Sequence, residues 1–212
     1  MWRSPVLAGL GWCEHGFGTR LADPWAEAEA PIANLRQVHS NTILKMESGC
    51  DRPSAPEGDG MVSGVAGLWL SIRTADCVPV LIADGKRRVV GAAHAGWRGT
   101  VAGIVPGLVE RMTREFGTDP SDIAAAVGPA IGVCCFEVGP EVATQFEGRW
   151  EGVTQGRYVD LAATIVCQLR QSGVAAAKID AGGPCTRCST EFHSFRRDRE
   201  GAGRMHSAIR IR

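Results

Sequence analysis

Cys77 and His94 are placed where their side chains could do chemistry together. Cys77 precedes the apolar run Val-Pro-Val-Leu-Ile-Ala, and a second run, Val-Val-Gly-Ala-Ala, ends in His94. The Asp84-Gly85 pair between these β-rich runs predicts a hairpin. Both side chains would then lie at the open end of the hairpin, away from its turn. A thiol beside an imidazole is either a nucleophile with its base or a pair of metal ligands.

His39 is a third candidate, because it lies in the polar stretch Arg-Gln-Val-His-Ser-Asn between two apolar runs. With Cys77 and His94 it would complete a site of two histidines and one cysteine, ligand types that zinc binds readily. Three protein ligands leave one position open, which is typical of a catalytic zinc site. Copper could also occupy such a site. The spacing forms no local metal motif, so only the fold can bring His39 to the hairpin.

Charged residues near these segments could bind a substrate or transfer protons during its reaction. Asp59 and Asp76 are the nearest carboxylates, and either could orient a ligand or move a proton. Arg98 precedes a predicted helix, whose N-terminus favours phosphate. The segment Phe-Arg-Arg-Asp-Arg-Glu-Gly-Ala-Gly-Arg offers further guanidinium groups, which suit phosphate or carboxylate or belong to a solvated loop. These are Arg196, Arg197 and Arg204.

The pair Cys185-Thr-Arg-Cys188 is a second candidate metal or redox site. It lacks a second Cys-x-x-Cys pair, and two unpaired loop thiols are an equally good interpretation. Cys134 and Cys135 adjoin a glycine-rich segment and would face opposite ways in an extended chain, so we expect only a structural role for them.

The composition excludes several classes of function. The 212 residues are 44% hydrophobic and 22% charged, which predicts one folded domain over 1–212. With 23 basic and 23 acidic residues, the chain has no electrostatic footprint for nucleic acid or for an anionic membrane. No apolar run approaches about 18 residues and no signal peptide is recognisable, so we expect a cytoplasmic protein. Its eight cysteines are then expected to be free thiols.

The pattern of elements predicts an α+β fold with mixed sheets. Helices are predicted over 100–116 and over 160–173, the second with Asp160 as N-cap and Gly173 as its stop. A short helix is expected at Pro140. Strand-like pieces flank His39, and the two apolar runs beside Asp84-Gly85 are expected to be strands. A short buried strand that runs into a glycine-rich loop is expected within 121–132, with further strands over 174–180 and at the C-terminus. Residues 1–30 are predicted to be irregular, with one helical turn in the segment Ala-Asp-Pro-Trp-Ala-Glu-Ala-Glu-Ala-Pro.

The motifs LRQVHS, GDGMVS, TADCVPVLIAD, GAAHAGWRGT, VGPAIGVCCFEVGPEV and SFRRD resemble the YfiH-like family, also labelled laccase-domain or polyphenol-oxidase proteins. The resemblance covers most of residues 17–212. It implies a layered α+β sandwich of mixed β-sheets flanked by helices, like the catalytic domain of cytotoxic necrotizing factor toxins. It also implies that His39, Cys77 and His94 bind zinc.

The resemblance implies phosphorolysis of adenosine, inosine and methylthioadenosine, together with adenosine deamination in which zinc activates water for attack at purine C6. Cys77, His94 and Asp76 would be catalytic. Partners would be a nucleoside and phosphate, and the chain a monomer or homodimer. The candidate substrate-binding residues are Arg20, Gln37, Asp59, Arg98 and Arg196.

Two other functions remain open. One is a metal-free Cys77–His94 hydrolase or amidase that edits peptidoglycan precursors, in which His39 has no role. The other is a non-enzymatic metal-binding protein with a closed site that recruits Cys185 or His193. Laccase chemistry is not expected, because a multicopper oxidase needs more imidazoles than five histidines supply.

Overall fold

A computed structural model describes residues 1–24, 30–50 and 52–212. The α-helices of this part are α1 (Pro5–Ala8), α2 (Trp97–Val101), α3 (Ile104–Phe116), α4 (Pro140–Ala143), α5 (Leu161–Gln171) and α6 (Phe195–Asp198). The strands are β1 (Cys13–Phe17), β2 (Ile32–Ala33), β3 (Ile43–Lys45), β4 (Gly60–Ser63), β5 (Trp69–Thr74), β6 (Val78–Asp84), β7 (Val89–Ala95), β8 (Ile123–Val127), β9 (Thr154–Gln155), β10 (Tyr158–Val159), β11 (Ile179–Asp180) and β12 (Met205–Ile211).

Two mixed sheets form the framework. A six-stranded sheet has the order β11-β8-β6-β7-β4-β3, and a four-stranded sheet has the order β1-β12-β5-β2. Most neighbouring strands are antiparallel, whereas the pairs β11/β8, β3/β4 and β2/β5 are parallel. Strands β9 and β10 form a separate antiparallel pair. The predicted α+β class with mixed sheets is confirmed.

Strand β6 shows why the sheets stack in layers. Its residues alternate between two hydrophobic clusters: Val80 and Ile82 belong to one, with helices α3 and α5, and Leu81 and Ala83 belong to the other, with the four-stranded sheet. Because both faces are covered, the strand is buried throughout and reads as a continuous apolar run. Full burial of each such Val, Ile or Leu side chain contributes about 1.5–3 kcal/mol relative to exposure.

The predicted helix at 160–173 is confirmed by α5. The Asp160 carboxylate accepts a 2.8 Å hydrogen bond from the Ala163 N–H, which satisfies one of the free donors of the first turn. Gly173 has a φ of 93°, a left-handed conformation that ends the helix at little cost for glycine. Helix α4 begins at Pro140, as expected.

Other expectations need correction. The segment 100–116 is not one helix, because Gly103 has a φ of 81° and separates α2 from α3. Pro106 then falls in the first turn of α3, where a missing N–H is tolerated. In 174–180 only Ile179–Asp180 is a strand, after a 3₁₀ turn at Ala176–Lys178. Residues 1–24 contain α1 and the ordered strand β1, which pairs with the distant β12.

Part of the predicted helical turn between Ala22 and Pro31 lies outside the described residues, since 25–29 are among those not described. Among the described helices, none is both long and apolar enough to cross a membrane.

Candidate metal centre and pocket

The β6–β7 hairpin places Cys77 and His94 side by side. Cys77 directly precedes β6, and His94 pairs with Pro79 near the end of β7. The Asp84 carboxylate accepts hydrogen bonds from the N–H groups of Lys86 (2.8 Å) and Arg87 (3.0 Å), which shapes the turn at the other end. The predicted hairpin is therefore confirmed, with Cys77 and His94 at its open end.

A single buried carboxylate brings His39 to that open end. Asp59, fully buried just before β4, accepts hydrogen bonds from the backbone N–H groups of Val38 (3.2 Å), His39 (3.1 Å) and Ser40 (2.6 Å). The Ser40 hydroxyl also donates to it at 2.7 Å. The loop between β2 and β3 therefore folds over the hairpin, with His39 in the left-handed region at a φ of 60°.

The same carboxylate orients His94. The Nδ1–H of His94 donates to Asp59 Oδ1 at 2.8 Å, and the backbone N–H of His94 donates to the Asp59 carbonyl at 2.7 Å. Because Nδ1 carries this proton, Nε2 is left with its lone pair, as a metal ligand requires. A carboxylate behind a ligating imidazole is the usual support of a zinc-bound histidine.

His39, Cys77 and His94 have the composition and closeness of a metal centre. Their potential ligand atoms all lie within 4.8 Å of one another. Gly96 leaves room beside them, since a Cβ there would stand 2.7 Å from His39 Nδ1 and 3.2 Å from Cys77 Sγ. Two imidazoles and one thiolate suit zinc, and they leave a fourth position for a small ligand. The residues present therefore fit a catalytic zinc ion.

Without a metal ion, the proton affinities in this group favour a thiolate at Cys77 and an imidazolium at His94, and a metal ion would displace the proton from Nε2. Burial raises the pKa of the Cys77 thiol, but hydrogen bonds from His39 and His94 outweigh burial and bring that pKa to about 6. Burial lowers the pKa of His94, but its hydrogen bonds to Asp59 and Cys77 raise the pKa to about 9. For Asp59, burial raises the pKa, whereas hydrogen bonds from His94 and Ser40 bring it down to about 2.

The three side chains open into a pocket of about 520 Å³. Its lining combines these ligands with two guanidinium groups, an amide and an aromatic ring. The lining residues are Gln37, His39, Arg73, Ala75, Cys77, His94, Phe195 and Arg204. The lining therefore carries two cationic groups and one aromatic ring.

Gln37 is a lining residue that the sequence singled out, and it is also a brace. Its side-chain NH₂ donates to the Arg73 carbonyl, and its carbonyl oxygen accepts from the Arg73 N–H, each at 2.8 Å. This pair of bonds ties the His39 loop to β5. The amide is therefore occupied by protein backbone, and it fixes the position of Arg73.

Asp76 and Arg196 lie beside the pocket lining. Asp76, at a φ of 88°, accepts hydrogen bonds from the Thr186 hydroxyl (2.7 Å) and the Arg196 N–H (2.6 Å). The Arg196 guanidinium donates to the Glu137 carbonyl at 2.8 Å. Both residues thus anchor the C-terminal loop against the segment that carries Cys77.

Arg20 and Arg98 also lie outside the pocket lining. The Arg20 guanidinium donates to the Phe192 carbonyl at 3.0 Å and forms an ion pair with Asp198. Arg98 is exposed and lies over the Trp97 ring, 4.4 Å from its centroid. Arg20 therefore fastens the loop that carries Phe195, while Arg98 packs on its neighbour.

Arg73 and Phe195 are lining residues that were not predicted from the sequence, and Arg204 was predicted only as one of several loop arginines. Arg73 had a signal, because it is the only charged residue in the strand Trp69–Thr74. Phe195 had a weaker one, as an aromatic residue within a charged segment. It is 47% exposed, which is unusual for so large an apolar ring.

The remaining histidines belong to other surroundings. His15 accepts a 2.9 Å hydrogen bond from the Ser4 N–H at Nε2, and His206 Nδ1 lies 3.0 Å from Asp23. His193 and Cys185 do not join the His39, Cys77 and His94 group. The histidines of the described residues thus supply two imidazoles to one compact metal-capable group.

The fold and site define a class: an α+β sandwich with a metal-capable His-Cys-His group at the end of a hairpin. The family model described as "Multi-copper polyphenol oxidoreductase laccase" matches residues 19–212. The chain belongs to this family, which includes the YfiH-like proteins. Residues 19–212 contain every ligand and lining residue described above.

Two solved structures share this fold. YlmD from Geobacillus stearothermophilus superposes with a TM-score of 0.85 at 30% identity, covering 99% of this chain and 94% of that one. YfiH from Bacillus licheniformis superposes with a TM-score of 0.77 at 31% identity, covering 85% of this chain and 74% of that one. These similarities confirm the predicted sandwich.

Two relatives carry enzyme names. A protein of Deinococcus radiodurans named purine nucleoside phosphorylase is 41% identical over 197 residues, 90% of this chain and 74% of its own. Adenosine deaminase RL5, from an unknown prokaryotic organism, is 37% identical over 191 residues, 82% of this chain and 72% of its own. The chain is thus similar to proteins named for two reactions on purine nucleosides.

Proposed function

We propose that this protein is a zinc-dependent purine nucleoside phosphorylase that also deaminates adenosine. The observation that carries the proposal is that one pocket is lined by the metal-capable group and by groups that suit a substrate. The metal-capable group is His39, Cys77 and His94, and the other groups are Arg73, Arg204 and Phe195. The names of the relatives support it, since one is a phosphorylase and another a deaminase.

The pocket matches the two substrates of phosphorolysis. Guanidinium groups such as those of Arg73 and Arg204 bind phosphate oxygens, and the exposed Phe195 ring offers a surface for stacking a purine. In the reaction, a phosphate oxygen forms a bond to ribose C1′ while the bond from C1′ to the purine nitrogen breaks. The products are ribose 1-phosphate and the free base, which takes up a proton.

In deamination, water adds to purine C6 and ammonia leaves. His39, Cys77 and His94 would hold the zinc, which supplies Lewis acidity at its open position. Asp59 keeps His94 in the tautomer that presents Nε2. Gln37 and Asp76 position the two segments that carry His39 and Cys77, and Arg20 and Arg196 hold the loop that carries Phe195. Arg98, which lies outside the lining, receives no role in this proposal.

The decisive experiment is inosine turnover by the purified protein, with and without phosphate, before and after chelation. We expect free hypoxanthine only with phosphate and only before chelation, with recovery on adding zinc. Cys77→Ser should lose the pocket zinc and turnover, whereas Cys50→Ser, at a thiol bonded to Asn34 away from the pocket, should keep both. Release of base without phosphate, or turnover that survives removal of zinc, would contradict the proposal.

A second candidate function rests on the Cys77–His94 pair itself. The pKa of the Cys77 thiol is about 6 and that of His94 about 9, so the metal-free pair would be a thiolate beside an imidazolium near neutral pH. Such a pair suits a cysteine hydrolase or amidase, including one that acts on peptidoglycan precursors. Its signature would be chelator-resistant amidase activity abolished by alkylation of Cys77.

The proposal places the reaction in the cytoplasm, with a nucleoside and phosphate as partners and a monomer or homodimer as the working form. Sedimentation of the native protein tests the last point, because a larger assembly would exclude both.

A further inference from the structure

A second group of potential metal ligands, made of sulfur atoms only, lies outside the pocket lining. Four thiols from two separate loops converge there, and their Sγ atoms all lie within 4.8 Å of one another. They are Cys134, Cys135, Cys185 and Cys188. The first two follow β8 and the other two lie in the long segment before α6, so the cluster joins parts of the chain far apart in sequence.

Cys134 and Cys135 do not face opposite ways, because the segment that carries them is not extended. Residues 133–135 form a turn rather than an extended segment, with the N–H of Cys135 bonded to the Gly132 carbonyl at 2.9 Å. The turn directs both neighbouring thiols towards Cys188. The two adjacent cysteines therefore supply two of the four sulfur atoms in the group.

The sulfur separations match a tetrathiolate metal site. Cys134 Sγ lies 3.7 Å from Cys135 Sγ and 3.8 Å from Cys188 Sγ, and Cys135 Sγ lies 3.4 Å from Cys188 Sγ. Sulfurs at the corners of a tetrahedron with zinc–sulfur bonds of about 2.3 Å are about 3.8 Å apart. Disulfide sulfurs are about 2.05 Å apart, and all four cysteines are free thiols.

The surroundings support anionic sulfur at Cys185, and the glycine at position 132 keeps the cluster uncrowded. The Gly132 N–H donates to Cys185 Sγ at 3.2 Å, the kind of bond that stabilises a ligating thiolate. A Cβ at Gly132 would stand 3.3 Å from Cys134 Sγ and 3.5 Å from Cys185 Sγ, so a side chain there would crowd the cluster.

The cluster is joined to the segment that carries Cys77. Thr186, between the two cysteines of the Cys-x-x-Cys pair, donates its hydroxyl to Asp76 and its N–H to the Ala130 carbonyl. The Arg197 guanidinium holds the same loop by donating to the carbonyls of Thr186, Arg187, Ser189 and Phe192. An ion at the cluster would fix both loops against Asp76.

We infer that Cys134, Cys135, Cys185 and Cys188 bind a second zinc ion, in a closed structural site that anchors the C-terminal loop beside the pocket. Four thiolates complete the tetrahedral coordination of zinc and leave no open position, so this ion takes no part in chemistry. Deprotonation of the thiols accompanies binding and releases protons to solvent.

Zinc content of natively purified variants tests the inference. Wild-type protein should hold two zinc ions per chain, Cys188→Ser one, Cys77→Ser one, and Cys167→Ser two. Cys167 is the matched control, since its half-buried thiol on α5 belongs to neither group. X-ray absorption of the zinc left in Cys77→Ser should show four sulfur neighbours at about 2.3 Å, and this measurement holds even where Cys188→Ser fails to fold.

Other results separate this inference from the catalytic proposal. One zinc in the wild type that disappears in Cys77→Ser and persists in Cys188→Ser excludes the cluster but keeps the pocket zinc. One zinc with the opposite dependence keeps the cluster and removes the zinc from the pocket. If two of the eight thiols fail to titrate and X-ray absorption shows no zinc with sulfur-only neighbours, the cluster holds a disulfide instead of a zinc ion.

Discussion

Asp59 and His94 are joined twice, once through the carboxylate to Nδ1–H at 2.8 Å and once through the Asp59 carbonyl to the His94 N–H at 2.7 Å. The two bonds fix both the strand position and the ring orientation of His94. Since the same carboxylate holds the His39 loop, one buried side chain sets the relative placement of two imidazoles from distant segments.

Asp59→Asn should weaken zinc binding at the pocket by about 10–100-fold, the usual effect of losing a carboxylate behind a ligating histidine. The amide cannot accept from every N–H that the carboxylate serves, so the His39 loop should also loosen. Competition with a zinc-binding dye measures the affinity. Asp119→Asn, at an exposed N-cap far from the pocket, is the control, and equal affinities in both variants would count against a supporting role for Asp59.

Gly96→Ala should abolish zinc binding at the pocket while the protein still folds. The added Cβ would stand 2.7 Å from His39 Nδ1, which displaces that ring. Zinc content and thermal melting are the measurements. Gly9→Ala is the matched control, because its Cβ would meet only ordinary contacts at 3.4 Å and its φ is −63°. Full zinc content in Gly96→Ala would show that the three ligands can bind zinc with a methyl group beside them, and it would contradict the prediction.

Arg204→Ala should raise the KM for phosphate by about 10–100-fold, the range expected when a charged hydrogen bond of about 1.5–3 kcal/mol is lost. The KM for inosine should change much less, since the guanidinium is assigned to the anion. Steady-state kinetics with each substrate varied separately gives both constants. Arg114→Ala, on the exposed side of α3, controls for loss of positive charge. An equal effect on both substrates would reassign Arg204 to the nucleoside.

His15 should make the protein less stable as the pH falls. Burial, followed by the charge of Arg3, lowers its pKa from 6.5 to about 4. Between these values the unfolded chain binds the proton more readily than the folded chain does, so stability is complete above the upper value and falls towards the lower one. The loss should reach at most about 3 kcal/mol.

Denaturant unfolding of the wild type and of His15→Gln at neutral and mildly acidic pH measures this effect. The variant should be less stable at neutral pH, where it loses part of the bond to Ser4, but should lose less stability on acidification. Parallel pH profiles for the two proteins would assign the acid sensitivity to other groups.

The sequence predicted those parts of the fold that depend on neighbouring residues. Asp84-Gly85 indicated the hairpin, and Asp160 with Gly173 indicated the ends of α5, because turn and cap signals act over a few positions. The break at Gly103 was missed, since the apolar spacing continues across it. Strand β1 was missed because its pairing partner, β12, lies at the other end of the chain.

In the candidate site too, some positions follow from neighbouring residues and others depend on contacts between distant segments. Cys77 and His94 followed from the hairpin alone, whereas the position of His39 depends on three backbone hydrogen bonds to Asp59, which no local pattern encodes. Arg73 and Phe195 entered the pocket because β5 and the C-terminal loop meet there. Cys134 and Cys135 were assigned only structural weight, because their turn brings them to Cys188 only in the folded chain.

The loop carrying His39 is synthesised before Asp59, and Asp59 before His94. Until β7 has left the ribosome and paired with β6, the pocket ligands cannot gather around one point. A complete ligand set at this centre therefore requires that the β6–β7 hairpin has already formed.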